Sequence, residues 1–233
     1  MDTLQEIACK IHQTSPQWSE RVRNSYAKHV IRETETHSKL NHPHIVKMHE
    51  YIEIDDASFC TIMELCEGPD LQTYLKKYTT LPEKEAKLIV FQILSGLKYL
   101  SEQKEKVIHY DLKPQNILFH KGTIKISDFG LCKRVTENQA QIELTSMGVG
   151  TYWYLPPECF EINKAIMINS KVDVWSTGVI LYELLYGVKP FGQDMTQDRI
   201  FRDQIIKNAK NVVFPDEPVI SDSCKVVLIN RNS

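Results

Sequence analysis

An α+β fold is what this sequence predicts, on three observations. Short strand-like runs cluster in the first 65 residues and return as a hairpin near residue 120. Between and after them, apolar residues recur every three or four positions, the helical period. The length, 233 residues, suits one large domain or two lobes with a real core.

The elements follow in order. Ile7-Ala8-Cys9-Lys10-Ile11 reads as a short strand with a lysine inside it, on its own an ordinary strand with one outward charge. Ser15-Pro16 opens a helical pattern in which Trp18, Val22, Tyr26 and Val30 form one stripe. Glu33 falls three residues after Val30 on the same face. A carboxylate there calls for a partner, because an unpaired buried charge is costly, and Lys10 is the candidate. The alternative is a solvated glutamate at the stripe's edge. Ile45 to Ile54 and Phe59 to Leu65 read as two strands around Asp55-Asp56-Ala57-Ser58. Thr80-Leu81-Pro82-Glu83 is a capping-box pattern with proline in the first turn. Ala86, Ile89, Val90, Ile93, Leu94, Leu97 and Leu100 continue it as a buried, structural helix. Residues 131–150 form a polar loop, with Thr136, Thr145 and Ser146 as candidate phosphorylation sites. Asp173-Val174-Trp175-Ser176 opens a buried helical segment.

Composition narrows the class. A net charge of −2 gives no broad basic surface, so neither nucleic acid nor a membrane surface is expected as a direct partner. Met-Asp-Thr-Leu-Gln-Glu lacks the basic and apolar regions of a signal peptide. The most apolar stretch, Val172 to Gly187, carries Asp173 and Glu183 and is too short to span a bilayer. The six cysteines, at 9, 60, 66, 132, 159 and 224, include no Cys-x-x-Cys pair, and the eight histidines show no zinc spacing. Free thiols in a reducing compartment are expected.

The chemistry concentrates between Val107 and Gly130. Two apolar runs, Ile117 to Phe119 and Ile124 to Ile126, flank the turn signal His120-Lys121-Gly122. Such a hairpin holds Asp111 and Asn116, on the loop before it, near Asp128 at its far end. Two oxygen ligands near a third carboxylate suit Mg²⁺, a hard cation that leaves room for phosphate oxygens. The remaining carboxylate can accept a hydroxyl proton.

His-Tyr-Asp-Leu-Lys-Pro-Gln-Asn followed by Asp-Phe-Gly resembles the catalytic loop and metal motif of protein kinases. The resemblance implies a two-lobed α+β fold, with ATP and Mg²⁺ as cofactors and a protein substrate. By that resemblance, Asp111 receives or orients the substrate hydroxyl proton, Lys113 contacts the γ-phosphate, Asn116 and Asp128 hold Mg²⁺, and Thr151 bonds near Asp111 and Lys113. Lys10 becomes the ligand of the α- and β-phosphates, with Glu33 as its helix partner. Ala8 and Leu118 sandwich the adenine, Met63 is the gatekeeper, and the backbone of Glu64 and Cys66 binds the adenine edge. Asp70 contacts the ribose or merely caps the helix after it. Asp173 braces the catalytic loop backbone. Lysine in Asp-Leu-Lys-Pro resembles the serine/threonine kinases. Tyr110 replaces the usual arginine of His-Arg-Asp, which normally reads a phosphate on the activation loop.

Gly-Thr-Tyr-Trp-Tyr-Leu-Pro-Pro-Glu-Cys-Phe, Lys-Val-Asp-Val-Trp-Ser and Ala-x-Lys-Ile-His-Gln look most like the Tousled-like kinases, from about Ile7 to about Ser221. That likeness implies a nuclear serine/threonine kinase acting on histone chaperones of the anti-silencing-factor type. The expected division is a small lobe over 1–63, a hinge over 64–70 and a large lobe over 71–233. Only nine residues precede Lys10 and no Gly-x-Gly-x-x-Gly occurs. A small lobe without its first two strands, and a large lobe without its last helices, are therefore expected. The alternative expectation is a catalytically weak kinase-like module that binds a partner without turnover.

Overall fold

The computed structural model describes residues 6–15, 17–55, 58–136, 139–144, 149–162 and 164–229. Strand β1 (Ile7–Gln13) is followed by helix α1 (Glu20–His37), then β2 (Met48–Asp55) and β3 (Ser58–Glu64). The strands form an antiparallel sheet in the order β1-β3-β2. Its register sets Ala8 opposite Met63 and Lys10 opposite Thr61. Because side chains alternate across a strand, these four share one face.

Helix α1 begins at Glu20, not at Ser15-Pro16, because Ser19 is the residue whose hydroxyl accepts the free Val22 N–H. The expected stripe is buried only toward the C-terminal end, where Val30 is 2% exposed. Trp18 and Val22 face solvent at 36% and 47%. Trp18 instead packs edge-on against Tyr26, ring centres 5.3 Å apart.

Next come α2 (Leu71–Tyr78), α3 (Glu83–Ser101), β4 (Lys106–Ile108), β5 (Ile117–His120) and β6 (Thr123–Ile126). The expected buried face of α3 holds except at Leu94, which is 40% exposed. The capping box does not form. Pro82 takes the cap position without a side-chain bond, and Glu83 turns outward to accept from Ser221 N and Oγ and to pair with Lys87. Strands β5 and β6 make the expected hairpin, its turn carrying φ values of 48° at Lys121 and 78° at Gly122. Two successive positive φ values match the twist of the flanking strands, as in type I′ turns.

The expected polar loop over 131–150 contains strands. β7 (Lys133–Val135) pairs with β4, and β8 (Ile142–Glu143) pairs with β9 (Met167–Ile168). Runs of two or three residues are too short to show a period. Thr145 and Ser146 lie outside the described residues. Thr136 is described and donates to Gln139.

Helix α4 (Lys171–Tyr186) runs through the main core beside α3 and is apolar nearly all round, as a helix buried on every side must be. It stops at Gly187, whose φ of 72° closes the C-terminus. Helices α5 (Gln197–Arg202), α6 (Ile205–Asn208) and α7 (Asp222–Ile229) complete the described chain. Among the described residues no helix is long and apolar enough to cross a membrane. The expectation that every thiol is free fails at one pair. Cys9 and Cys60 are joined in a disulfide, Cα atoms 6.2 Å apart. The register puts Cys9 opposite Ile62 and Ile11 opposite Cys60, so the two cysteines are diagonal neighbours on one face. Cys66, Cys132, Cys159 and Cys224 are free.

Candidate active site

A cavity of about 570 Å³ lies between the three-stranded sheet and the β5–β6 hairpin. Ala8, Lys10, Glu33, Met63, Glu64, Cys66, Asp70, Leu118 and Asp128 all line it. The volume falls within the range of small-molecule sites.

On its inner side, Lys10 Nζ lies 2.9 Å from Glu33 Oε1 and 3.2 Å from Asp128 Oδ1. Burial works against the Lys10 ammonium, but the two carboxylates outweigh it and hold its pKa above the ordinary value. Asp128 shows the mirror image: burial raises its carboxyl, and Lys10 pulls it below the usual value. Asp128 adopts φ of 61°, a conformation that costs a non-glycine residue about 1–3 kcal/mol. The next residue, Phe129, is fully buried between the His37 and His109 rings, 4.7 and 5.1 Å away.

A second cluster is centred on the loop between β4 and β5. Asp111 Oδ2 accepts from Lys113 Nζ at 2.6 Å, and Asp111 Oδ1 accepts from the Thr151 hydroxyl at 2.8 Å. Thr151 Oγ1 in turn accepts from Lys113 Nζ at 3.0 Å. Three groups thus close a ring, with a carboxylate oriented by one cation and one hydroxyl. The loop is braced from α4: Asp173 Oδ2 accepts the His109 N–H at 2.7 Å and Oδ1 the Tyr110 N–H at 2.8 Å. This grip holds Tyr110 at φ of 67°. Asn116 Nδ2 donates to the Asp111 carbonyl at 2.8 Å, and Ser127 N donates to the Asn116 carbonyl at 2.9 Å. Loop and hairpin are thereby stitched together. Asn116 and Asp128 offer an amide oxygen and a carboxylate, a hard donor set of the kind Mg²⁺ takes when phosphate and water fill its remaining positions.

Other candidates have second attachments. Asp70 caps α2, accepting from Thr73 N at 2.8 Å and Thr73 Oγ1 at 2.7 Å. The Glu64 carboxylate accepts from Lys47 N at 2.5 Å and Lys125 Nζ at 2.8 Å. Burial pushes the Cys66 thiol up to about 11. Tyr110 is buried, and burial raises its hydroxyl above the ordinary value, with Cys159 adding to the effect. It presents a neutral ring to Lys133, whose Nζ lies 5.9 Å from the ring centre.

The sequence reading missed Thr34, His37, Val46, Met48, Thr61, Gly68 and Ser127 in the cavity wall. The alternation of β3 carries a signal for Thr61, two residues before Met63. Gly68 carries another: a Cβ there would lie 2.6 Å from Phe119 Cβ. Lys125 gave none, since a lysine in an alternating strand reads as solvated.

The family match decides what this arrangement belongs to: the protein kinase domain matches residues 1–230. The chain belongs to the protein kinase family. Its similarity runs to the Tousled kinases in particular. It is 52% identical over 223 residues to the serine/threonine-protein kinase TOUSLED of Arabidopsis thaliana, covering 94% of this chain and 32% of that protein. It is 48% identical over 231 residues to serine/threonine-protein kinase tousled-like 2 of Homo sapiens, covering 95% and 30%. With tousled-like 1 of Caenorhabditis elegans it shares 46% identity over 228 residues, covering 94% and 23%. The chain thus spans about a third or less of the length of these curated relatives. As a protein kinase domain it has the expected α+β character, with the sheet and α1 preceding the mainly helical remainder.

Proposed function

We propose that this chain is the catalytic domain of a Tousled-like serine/threonine kinase that transfers the γ-phosphoryl group of ATP to a protein hydroxyl. The observation that carries this reading is the ring of Asp111, Lys113 and Thr151, with contacts of 2.6–3.0 Å, beside a cavity that holds Lys10 between Glu33 and Asp128.

In this reading Asp111 accepts the proton as the substrate O–H bond breaks. The oxygen forms a bond to Pγ, and the bond from Pγ to the ADP oxygen breaks. Lys113 supplies positive charge between Asp111 and the transferring group. Thr151 fixes the Asp111 carboxylate so that one rotamer serves. Lys10, aligned by Glu33, holds the α- and β-phosphates. Mg²⁺, held by Asn116 and Asp128, would neutralise charge on the phosphate oxygens. Phosphoryl transfer needs mainly positioning and electrostatic stabilisation, and this donor set is built for both. Ala8 and Leu118 pack on the adenine, Met63 limits the depth of the pocket, the Glu64 to Cys66 backbone meets the adenine edge, and Asp70 is within the ribose end. Division into a small lobe over 1–63, a hinge over 64–70 and a large lobe beyond suits this use of the cavity. Histone chaperones of the anti-silencing-factor type are the proposed substrates and the nucleus the proposed location, on the Tousled likeness alone.

The test is transfer of radiolabel from [γ-³²P]ATP to a histone-chaperone substrate, followed by phosphoamino-acid analysis. Label on serine or threonine, dependent on Mg²⁺, is expected. Label on tyrosine would overturn the assignment. No label above that of Asp111→Asn would favour a kinase-like binding module.

A further inference from the structure

Glu64 ends β3 and begins the strap, residues 64–70, that passes the cavity mouth. Its carboxylate is not spent on the cavity. It accepts from Lys47 N at 2.5 Å and from Lys125 Nζ at 2.8 Å. The pair is largely withdrawn from water, the Lys125 and Glu64 side chains being 11% and 17% exposed. Exposed ion pairs contribute little, but a desolvated pair resists separation because either charge alone would be left uncompensated.

The location of Lys125 gives the contact its meaning. Lys125 lies on β6 directly opposite Leu118 of β5, and Leu118 lines the cavity. The same hairpin also holds the far end of the strap: Gly68 N donates to Phe119 O and Phe119 N donates to Pro69 O, both at 3.0 Å. The strap is therefore fastened to one hairpin at both ends. Between the fastenings run Leu65, Cys66 and Glu67, the first two in the cavity wall.

We propose that Lys125 is a positioning residue for the nucleotide site, acting through the Glu64 carboxylate to hold the strap at a fixed distance from Leu118. The proposal rests on the kinase reading for its ligand, ATP. Its physical content is independent of that reading: without Lys125, the strap's near end keeps its bonds to Lys47 but loses its tie to the hairpin, while the far end stays bound to Phe119.

The experiment compares the full chain with Lys125→Met and Lys125→Arg. Backbone amide exchange at residues 62–67 is followed by mass spectrometry, and ATP titrations give KM and kcat. In Lys125→Met, exchange at 62–67 rises while the β5–β6 amides stay protected. KM for ATP rises roughly tenfold, the scale of one charge-assisted bond, and kcat at saturating ATP changes by less than threefold. Lys125→Arg restores both values. Glu64→Gln keeps the acceptor for Lys47 N and drops the charge, so it moves exchange and KM in the same direction and serves if Lys125→Met does not fold. Wild-type exchange at 62–67 in both Lys125→Met and Glu64→Gln overturns the proposal. So does a rise in KM that arginine fails to reverse. If the wild-type chain binds no ATP, the kinase reading falls, and the exchange measurement still decides whether Lys125 holds the strap.

Discussion

Replacing Asp173 with asparagine should uncouple the catalytic loop from the core while barely changing side-chain volume. Each Asp173 oxygen accepts one backbone N–H, from His109 at 2.7 Å and Tyr110 at 2.8 Å. Asparagine keeps one acceptor and turns an NH₂ group against the other N–H. One hydrogen bond to a charged acceptor is lost, worth about 1.5–3 kcal/mol, and a buried donor is orphaned. Tyr110 sits at φ of 67°, which costs about 1–3 kcal/mol and persists only while its surroundings enforce it. The two magnitudes are comparable, so the loop should relax and carry Asp111 out of its ring with Lys113 and Thr151. The expected result is a fall in kcat of roughly 10–100-fold. The melting temperature should drop by roughly 3–12 °C. Steady-state transfer assays and thermal denaturation measure both. A variant with kcat within twofold of wild type and an unchanged melting point would refute the bracing argument.

Further outcomes follow from the same geometry. Lys10→Ala removes the cation shared by Glu33 and Asp128, so ATP affinity with Mg²⁺ should fall by about 10–100-fold in titration calorimetry. Gly68→Ala would bring a Cβ to 2.6 Å from Phe119 Cβ and 2.8 Å from its carbonyl oxygen, so the strap must shift; a loss of about 1–3 kcal/mol in denaturant unfolding is expected. His37 donates Nε2–H to Val46 O at 2.7 Å and is held neutral by burial, which lowers its pKa below 6.5. Lys10 and His109 oppose its charging and Glu33 favours it. As pH falls through 6.5 the unfolded chain takes the proton first, so the stability present above that pH is lost below it. His37→Leu should therefore flatten the dependence of melting temperature on pH between about 7.5 and 5.5; an unchanged slope would contradict the assignment.

Most of what the sequence disclosed was periodic or motif-bound. The hairpin of β5 and β6 was legible because its turn residues and apolar runs agree. The pairing of Lys10 with Glu33 was legible because a carboxylate on an apolar stripe needs a cation. What stayed hidden was set by tertiary contact. Ser15 and Ser19 each accept a backbone N–H, from Gln17 and Val22, and only the second of these caps the helix. The capping box at Thr80 failed because the helix caps at Pro82, which leaves Glu83 in its first position, free to bond Ser221, 138 residues away. Val22 kept the helical period without a surface to bury against, and Trp18 fell before the helix, against Tyr26. The Cys9–Cys60 pairing needed the β1–β3 register, which composition does not encode. Lys125 looked like an outward strand lysine, and only the fold brings Glu64 to it.

We propose that Asp111 acts on the substrate hydroxyl while Lys10 and Asp128 serve the nucleotide. Single-turnover phosphate transfer by wild type and Asp111→Asn, at saturating Mg·ATP and protein substrate, tests it most directly. A general base contributes about 10²–10⁴ in rate, so Asp111→Asn should lose at least about 100-fold while ATP affinity by calorimetry stays near the wild-type value. Transfer by Asp111→Asn at the wild-type rate would contradict the account.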